Sequence, residues 1–495
     1  MELKTRILKW SAGVPVAMIG IKTAEAMGVH ENDRVSIKKI DSAEPKDFLT
    51  VINIADKIVK EGEIGISSEI QESFNLKKNQ RVEVNIANSP KSLDYIRKKI
   101  DKKELSKKEI KEIINDIVNN SLSEPEIAMF VSGMYENKMT FKETINLIES
   151  FVESGEKLSF KGKYIADKHC IGGIPGNRTT PIVVSICAAA GLTFPKTSSK
   201  AITSAAGTAD VIESIAKIEF STKELHEIIE KTGAFMIWGG SIELVPADSK
   251  IIRIEKMLKI DPHAQLLASI ISKKLAVGSK YVLIDIPYGK NAKVDFKQGL
   301  ELKESFEKYG KYFKLHLKAV LTKGSEPIGN GVGPFLELLD IIKVLNPYEK
   351  GPEDLKNRSV FLSGQLLELT KKAKKGEGEK IAEEILKSGK AFNKFQEIIS
   401  AQKGSIKNIS LGKFKKDMLA KSTGEIKGIN NKKINMLARV AGCPTDKASG
   451  LYIHHHVGKK VKKGDKLLTI YSESKPRLQE AIKYYNKEKP IEISK

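Results

Sequence analysis

Residues 167–180 read Asp-Lys-His-Cys-Ile-Gly-Gly-Ile-Pro-Gly-Asn-Arg-Thr-Thr, and residues 196–210 read Lys-Thr-Ser-Ser-Lys-Ala-Ile-Thr-Ser-Ala-Ala-Gly-Thr-Ala-Asp. Both segments are built from small, hydroxyl-bearing and glycine residues threaded by a lysine. Backbone N–H groups at a helix start can point at an anion only where side chains are too small to block it. In the first segment Lys168 precedes Gly172 and Gly173, and Thr179 and Thr180 open the next helix as a hydroxyl cap. In the second, Ser198, Ser199, Lys200, Ala201, Ile202, Thr203 and Ser204 lead to Gly207 and Thr208, which open an expected helix over 209–215. Any single hydroxyl here serves equally well as a helix cap. Two such turns with Lys168 and Lys200 offer more donors than capping needs, which points to a bound phosphate group. Neither is a Walker loop or a G-x-G-x-x-G, so ATP hydrolysis and dinucleotide binding are disfavoured.

A third candidate stretch covers residues 261–274. Asp261 stands at the start of an expected helix, as N-cap or as an acid, and Ser269, Lys273 and Lys274 form a polar face or bind a ligand. His169 adjoins the first loop, where it contacts a ligand or makes a structural hydrogen bond. Cys170 is a nucleophile only if its thiolate is stabilised. His454, His455 and His456 would alternate across a strand and so share no metal. Three widely spaced cysteines make neither a disulfide framework nor a zinc site, and a reducing compartment fits them.

These loops need a scaffold. From about residue 164 short strands, glycine-rich turns and helices alternate, including a buried strand over 282–287 and a helix over 335–344, as in an α/β domain with ligands beyond the strand ends. Upstream, Ser106/Glu109, Ser123/Glu126 and Thr140/Glu143 are three capping boxes ahead of helical apolar runs at 110–118, 127–134 and 145–152. Residues 25–37 match residues 72–84 position for position as helix, turn and strand, with Gly28 and Asn75 at the turn. That repeat suggests a pseudo-twofold barrel that resembles a double-psi barrel, an assembly domain without catalytic residues. Residues 88–91 read as a linker. Residues 457–470 have the pattern of a hammerhead barrel, but no Met-Lys-Met hairpin accompanies it, so no covalent cofactor is expected. Residues 376–379 read as an exposed loop. The expected fold is thus multidomain α/β: a double-psi-like β-barrel (1–88), a helical domain (89–160, returning at 246–278), a large α/β domain (161–245 and 279–420) and a C-terminal α+β hammerhead-like unit (421–495).

The chain has 495 residues, ample for several cores, and a net charge of +22. That charge is almost all lysine spread along the chain. Base-edge recognition favours arginine, so the surplus reads as a solvated surface that suits a small anionic substrate, and no nucleic-acid partner is expected. No apolar stretch spans a membrane and the N-terminus lacks a signal-peptide core, so a cytoplasmic protein with no membrane partner is expected.

The first loop with its Asp167-Lys168-His169 start, the Ser-Ser-Lys-Ala-Ile-Thr-Ser loop with Gly207-Thr208, Pro246-Ala247-Asp248, residues 268–276 and Glu326-Pro327-Ile328-Gly329 together resemble the thymidine/pyrimidine-nucleoside phosphorylase family over about residues 90–495. The extra N-terminal barrel, the loop 174–180 and residues 238–248 are similar to an archaeal branch acting on nucleoside 5′-monophosphates. The resemblance implies a pentosyltransferase that cleaves AMP, and also CMP or UMP, with inorganic phosphate, giving free base and ribose 1,5-bisphosphate. It implies phosphate binding by Lys168, Gly173, residues Ser198 to Ser204 and Thr208, nucleotide binding by Ser269 and Lys293, and proton donation by Asp261. It also implies no metal or other cofactor, a homodimer or larger oligomer, and a cleft between the helical and α/β parts. Nucleoside-cleaving members carry serine where Cys170 stands, which disfavours thymidine as substrate. A pyrimidine-nucleoside phosphorylase and a nucleic-acid-binding adaptor are the rival readings.

Overall fold

The structure, a computed structural model, describes residues 1–10, 15–40, 47–201, 204–407 and 409–494. The chain forms two compact units, one from residues 1–154 and 245–269, the other from 155–244 and 270–495. The return of the chain to the first unit is therefore 245–269, shorter than the expected 246–278. The break falls inside the helix His263–Ala276.

The first unit begins with a closed six-stranded barrel. The repeat read from the sequence is visible in its backbone. The helix Ile21–Met27 ends at Gly28 with φ 68°, and the helix Ser68–Phe74 ends at Asn75 with φ 45°, both left-handed caps leading to a strand. Those strands, Arg34–Lys39 and Arg81–Ile86, pair antiparallel, Ile37 opposite Val84. Alternate residues point inward, so Val35, Ile37, Val82 and Val84 are fully buried. Arg34 then ties the barrel to the helices: its guanidinium donates to the Ser121 carbonyl at 2.5 Å and pairs with Glu126.

The helices Lys107–Val118, Glu124–Asn137 and Phe141–Glu153 follow the three capping boxes. At Ser106 and Thr140 both reciprocal bonds form; at Ser123 the Glu126 carboxylate takes both the N–H and the hydroxyl. Their apolar stripes bury Ile110, Ile113, Ile114, Phe130, Ile148 and Phe151. A further helix, Ser92–Ile100, directly follows the linker and has no side-chain cap hydrogen bond.

In the second unit the parallel strands His316–Lys323, Tyr281–Tyr288 and Ala166–Cys170 form one sheet. The parallel pair Phe194–Ser198 and Ala234–Trp238 adjoins it through a bridge between Ile165 and Thr193. The apolar helix Thr179–Ala189 lies in this core, as does much of Glu353–Leu369, Gly378–Lys387 and Lys390–Ala401. Residues 376–379 are thus not all loop: Gly378 opens a helix, with the Gly376 and Gly378 N–H groups both bonded to Glu368. The C-terminal α+β module starts ahead of residue 421, because the strand Phe414–Leu419 pairs antiparallel with Lys466–Ser472.

Candidate active site

Within the second unit the strand Ala166–Cys170 anchors a set of buried charges. Adjacent residues point to opposite faces, so Asp167 and Lys168 meet different partners. Asp167 accepts from Lys196 Nζ at 3.1 Å and from Lys274 Nζ at 2.8 Å. Lys168 is fully buried; its Nζ lies 2.8 Å from the Thr179 hydroxyl and 3.7 Å from Asp285, which also accepts from the Thr322 hydroxyl at 2.7 Å. Three buried lysines therefore share two carboxylates, and the excess lies on the Asp167 side, where burial lowers Lys274 to about 7 and a nearby anion would favour its charged form.

Burial and the lysines at 274, 196, 273 and 168 hold the His169 imidazole well below its usual pKa, so it is neutral at pH 7. Burial, reinforced by Asp285, pushes the Cys170 thiol up to about 12. A thiol of that acidity supplies no thiolate nucleophile.

The first loop, residues 171–178, needs glycine for two reasons. Gly173 has φ 93°, and a Cβ there would meet the Lys293 backbone nitrogen at 3.3 Å; Gly176 has φ 68°, and its Cβ would lie 2.1 Å from the Ile328 carbonyl. The Glu326-Pro-Ile-Gly motif packs here, its Ile328 N–H donating to the Pro175 carbonyl at 3.0 Å. The exposed Lys293 is thereby brought beside Gly173.

The expected hydroxyl cap at Thr179 and Thr180 does not form. Arg178 holds the N-cap position without a cap hydrogen bond, and both threonines lie inside the helix, where Thr179 accepts from Lys168. Arg178 itself bridges the two loops. Its guanidinium pairs with the buried Glu337, donates to the Ala206 carbonyl at 2.8 Å and to the Thr208 hydroxyl at 3.3 Å. Burial raises the Glu337 carboxyl above its ordinary pKa, with Arg178 opposing that rise.

In the second loop Asp210 takes the Ala201 N–H at 2.6 Å and the Gly207 N–H at 2.7 Å with one oxygen. Those two amides are therefore occupied by the protein's own carboxylate rather than offered to a bound phosphate. Lys200 pairs with Glu213 at 2.7 Å and lies 4.7 Å above the Trp238 ring. Ser198 Oγ is buried with no hydrogen-bond partner among the described residues, Ser199 is exposed, and the Ser204 hydroxyl donates to the Ala206 carbonyl at 2.8 Å. Ile202 and Thr203 lie outside the described residues. The helix that follows spans Thr208–Glu213, two residues shorter than expected at its end.

Asp261 and Ser269 belong to the first unit, whereas Lys273 belongs to the second rather than accompanying them. The helix starts at His263, with the Leu266 N–H bonded to the Pro262 carbonyl, so half-buried Asp261 precedes the cap position. Ser269 is buried, and Asp248 of the Pro-Ala-Asp motif accepts from Gln265 at 3.0 Å. The three histidines follow the strand Gly450–Ile453 instead of lying on it. His454 bonds to the Thr469 hydroxyl, and His456 to Glu326 and Asn330, so two of them have structural partners. Among the described residues no group of three metal-ligating side chains is assembled.

Sequence reasoning missed Arg178, Asp210, Asp285 and Glu337. Asp210 had a signal, three residues beyond Gly207 at the spacing of a capping carboxylate. The carboxylates that face Arg178 and Lys168, Glu337 and Asp285, lie more than 100 residues away and carry no local signal.

Comparison with known proteins matches residues 93–155 to the helical bundle domain of a glycosyl transferase family, 162–392 to the a/b domain of that family, and 425–492 to the pyrimidine nucleoside phosphorylase C-terminal domain. The chain is similar to the AMP phosphorylases of Methanococcoides burtonii, 40% identical over 99% of this chain and 97% of that protein, and Pyrococcus furiosus, 41% over 100% and 98%. The AMP phosphorylase of Thermococcus kodakarensis is 42% identical over 100% and 98%. The crystal structure of anthranilate phosphoribosyltransferase from Thermus thermophilus shares the fold, with a TM-score of 0.52 at 17% identity, over 63% of this chain and all of that one.

Proposed function

The chain belongs to the AMP phosphorylase family, and from that premise we propose that it cleaves AMP, and also CMP and UMP, with inorganic phosphate. A phosphate oxygen forms the bond to C1′ as the bond from C1′ to the base nitrogen breaks. The electron pair leaves with the base, which takes a proton from the Asp261 carboxylic acid, and the products are free base and ribose 1,5-bisphosphate. Phosphate is a weak nucleophile, so the enzyme's contribution is to hold it in place and stabilise the positive charge that develops on the sugar. Inorganic phosphate is the co-substrate, and the reaction uses no metal or other cofactor.

The observation that carries the phosphate half of this reading is the cluster of three buried lysines, Lys168, Lys196 and Lys274, around the strand that leads into the first loop, beside two loops linked by Arg178. Lys168, Gly173, the residues 198–204 and Thr208 form the phosphate side in this reading, and Ser269 and Lys293 bind the nucleotide. The N-terminal barrel is of the double-psi type and serves assembly of a homo-oligomer, the C-terminal module is of the hammerhead type, and the enzyme works in the cytoplasm.

Purified protein incubated with AMP, CMP, UMP, adenosine or thymidine, each with phosphate, should release base and ribose 1,5-bisphosphate only from the monophosphates. Asp261→Asn should keep AMP affinity within about twofold while turnover falls roughly 10²- to 10⁴-fold, the range of a lost general acid. Full turnover in that variant refutes the assignment of Asp261.

A further inference from the structure

Asn430 caps the helix Asn431–Ala441 by accepting the Lys433 N–H, a position that favours asparagine, whereas Asn431 and Asn435 lie in its first turns, where asparagine is a weaker helix former. Each side chain has work outside the helix. Buried Asn431 donates through Nδ2 to the Gly324 carbonyl at 2.9 Å and the Asn291 carbonyl at 3.3 Å, and Asn430 Nδ2 reaches Asn291 Oδ1 at 3.2 Å. Asn291 lies in the short loop that carries Lys293. Four residues on, Asn435 accepts the Ala205 N–H at 3.0 Å, and Arg439 donates to the Ser204 carbonyl at 3.3 Å. Residues four apart lie on one helical face, so one face holds two loops distant in sequence.

We propose that the helix Asn431–Ala441 is a strut shared by the two halves of the site, with Asn435 positioning the phosphate loop and Asn431 positioning the Lys293 loop. This rests on the assignment of those loops to phosphate and nucleotide given above. The amide chemistry suits the roles. Asn435 presents an acceptor to a backbone N–H that would otherwise be buried and unpaired, while Asn431 presents two donors to two backbone carbonyls. Neither side chain contacts a reacting atom; both act through the loop they hold.

The test is a split of Michaelis constants in the full-length enzyme. Asn435→Ala should raise the KM for phosphate about fivefold and leave that for AMP within twofold, the effect of one lost hydrogen bond on loop order. Asn431→Ala should do the reverse. Where either variant does not fold, Arg439→Ala, which removes the helix's bond to the Ser204 carbonyl, and Asn291→Ala, which removes the side-chain bond between Asn430 and Asn291, repeat the test at the neighbouring contacts. Thr208→Ala and Lys293→Ala serve as references, expected to act on phosphate and AMP respectively. If the references split and the asparagine variants shift both constants together, or neither, the strut is overturned alone. If the references do not split, the loop assignment falls and the strut falls with it.

Discussion

At the scale of single residues, the chemistry of the site depends on how it keeps charges unbalanced. His169 has four lysines around it and is partly desolvated, so protonating it would add to a region already rich in cations. In the unfolded chain it returns to a pKa near 6.5. Below that pH the unfolded state binds a proton that the native state refuses, so His169 makes stability fall as pH falls. Burial lowers the Lys274 ammonium too, with Asp167 opposing, and its effect has the same sign at higher pH. Asp340, pushed up to about 6 by burial against the pull of the Gly331 and Asn330 N–H groups, acts in the opposite sense, favouring the native state until pH rises through that value. The whole-protein profile is thus a sum of opposing slopes, and a difference isolates one of them. We predict that His169→Asn loses a dependence of up to about 1.4 kcal/mol per pH unit below 6.5. Urea unfolding of both proteins between pH 5 and 7 measures it, and parallel profiles would contradict the neutral histidine.

At the scale of elements, local rules are legible in the sequence and distant partnerships are not. Capping boxes are written within four residues, so Ser106, Ser123 and Thr140 announce their helices, and Gly28 and Asn75 announce matching turns in the barrel. The helix Ser92–Ile100 has no such cap bond, and nothing local separates it from the linker before it. The two phosphate-type loops are legible as loops, because their small residues are their signal. What their amides bind is legible only in part: Asp210 stands at the capping spacing from Gly207, but its bond to Ala201, nine residues back, is specified by folding of the loop. The Thr140 box also hides a tertiary role. Glu143 is fully buried, accepting from Lys99 Nζ at 3.0 Å and the Leu105 N–H at 2.9 Å as well as from Thr140. Removing it strands the buried Lys99 ammonium. Glu143→Ala should destabilise the first unit by about 3–5 kcal/mol, the range for breaking a buried pair on one side. A loss below about 1 kcal/mol in denaturant titration, the worth of an exposed pair, would show that Lys99 finds solvent instead.

At the scale of the whole molecule, a net charge of +22 surrounds a site proposed for two anions. Lysine-rich surfaces raise the encounter rate of anionic ligands, and salt screens that effect within about 10 Å at 0.1 M. We expect kcat/KM for AMP to fall about threefold or more between roughly 0.05 and 0.5 M KCl, with kcat at saturation unchanged. A flat salt profile would mean that the charge serves solubility alone. The division of the chain bears on the same molecule in time as well as space. The Ala205 amide waits for Asn435, 230 residues downstream. At a synthesis rate of roughly 5–20 residues per second, the ribosome needs on the order of 10–50 s to deliver that partner. A nascent chain therefore carries an unbraced second loop for much of its production, and a transcript truncated before residue 435 yields a protein that has both lysine loops but lacks the brace on the second one.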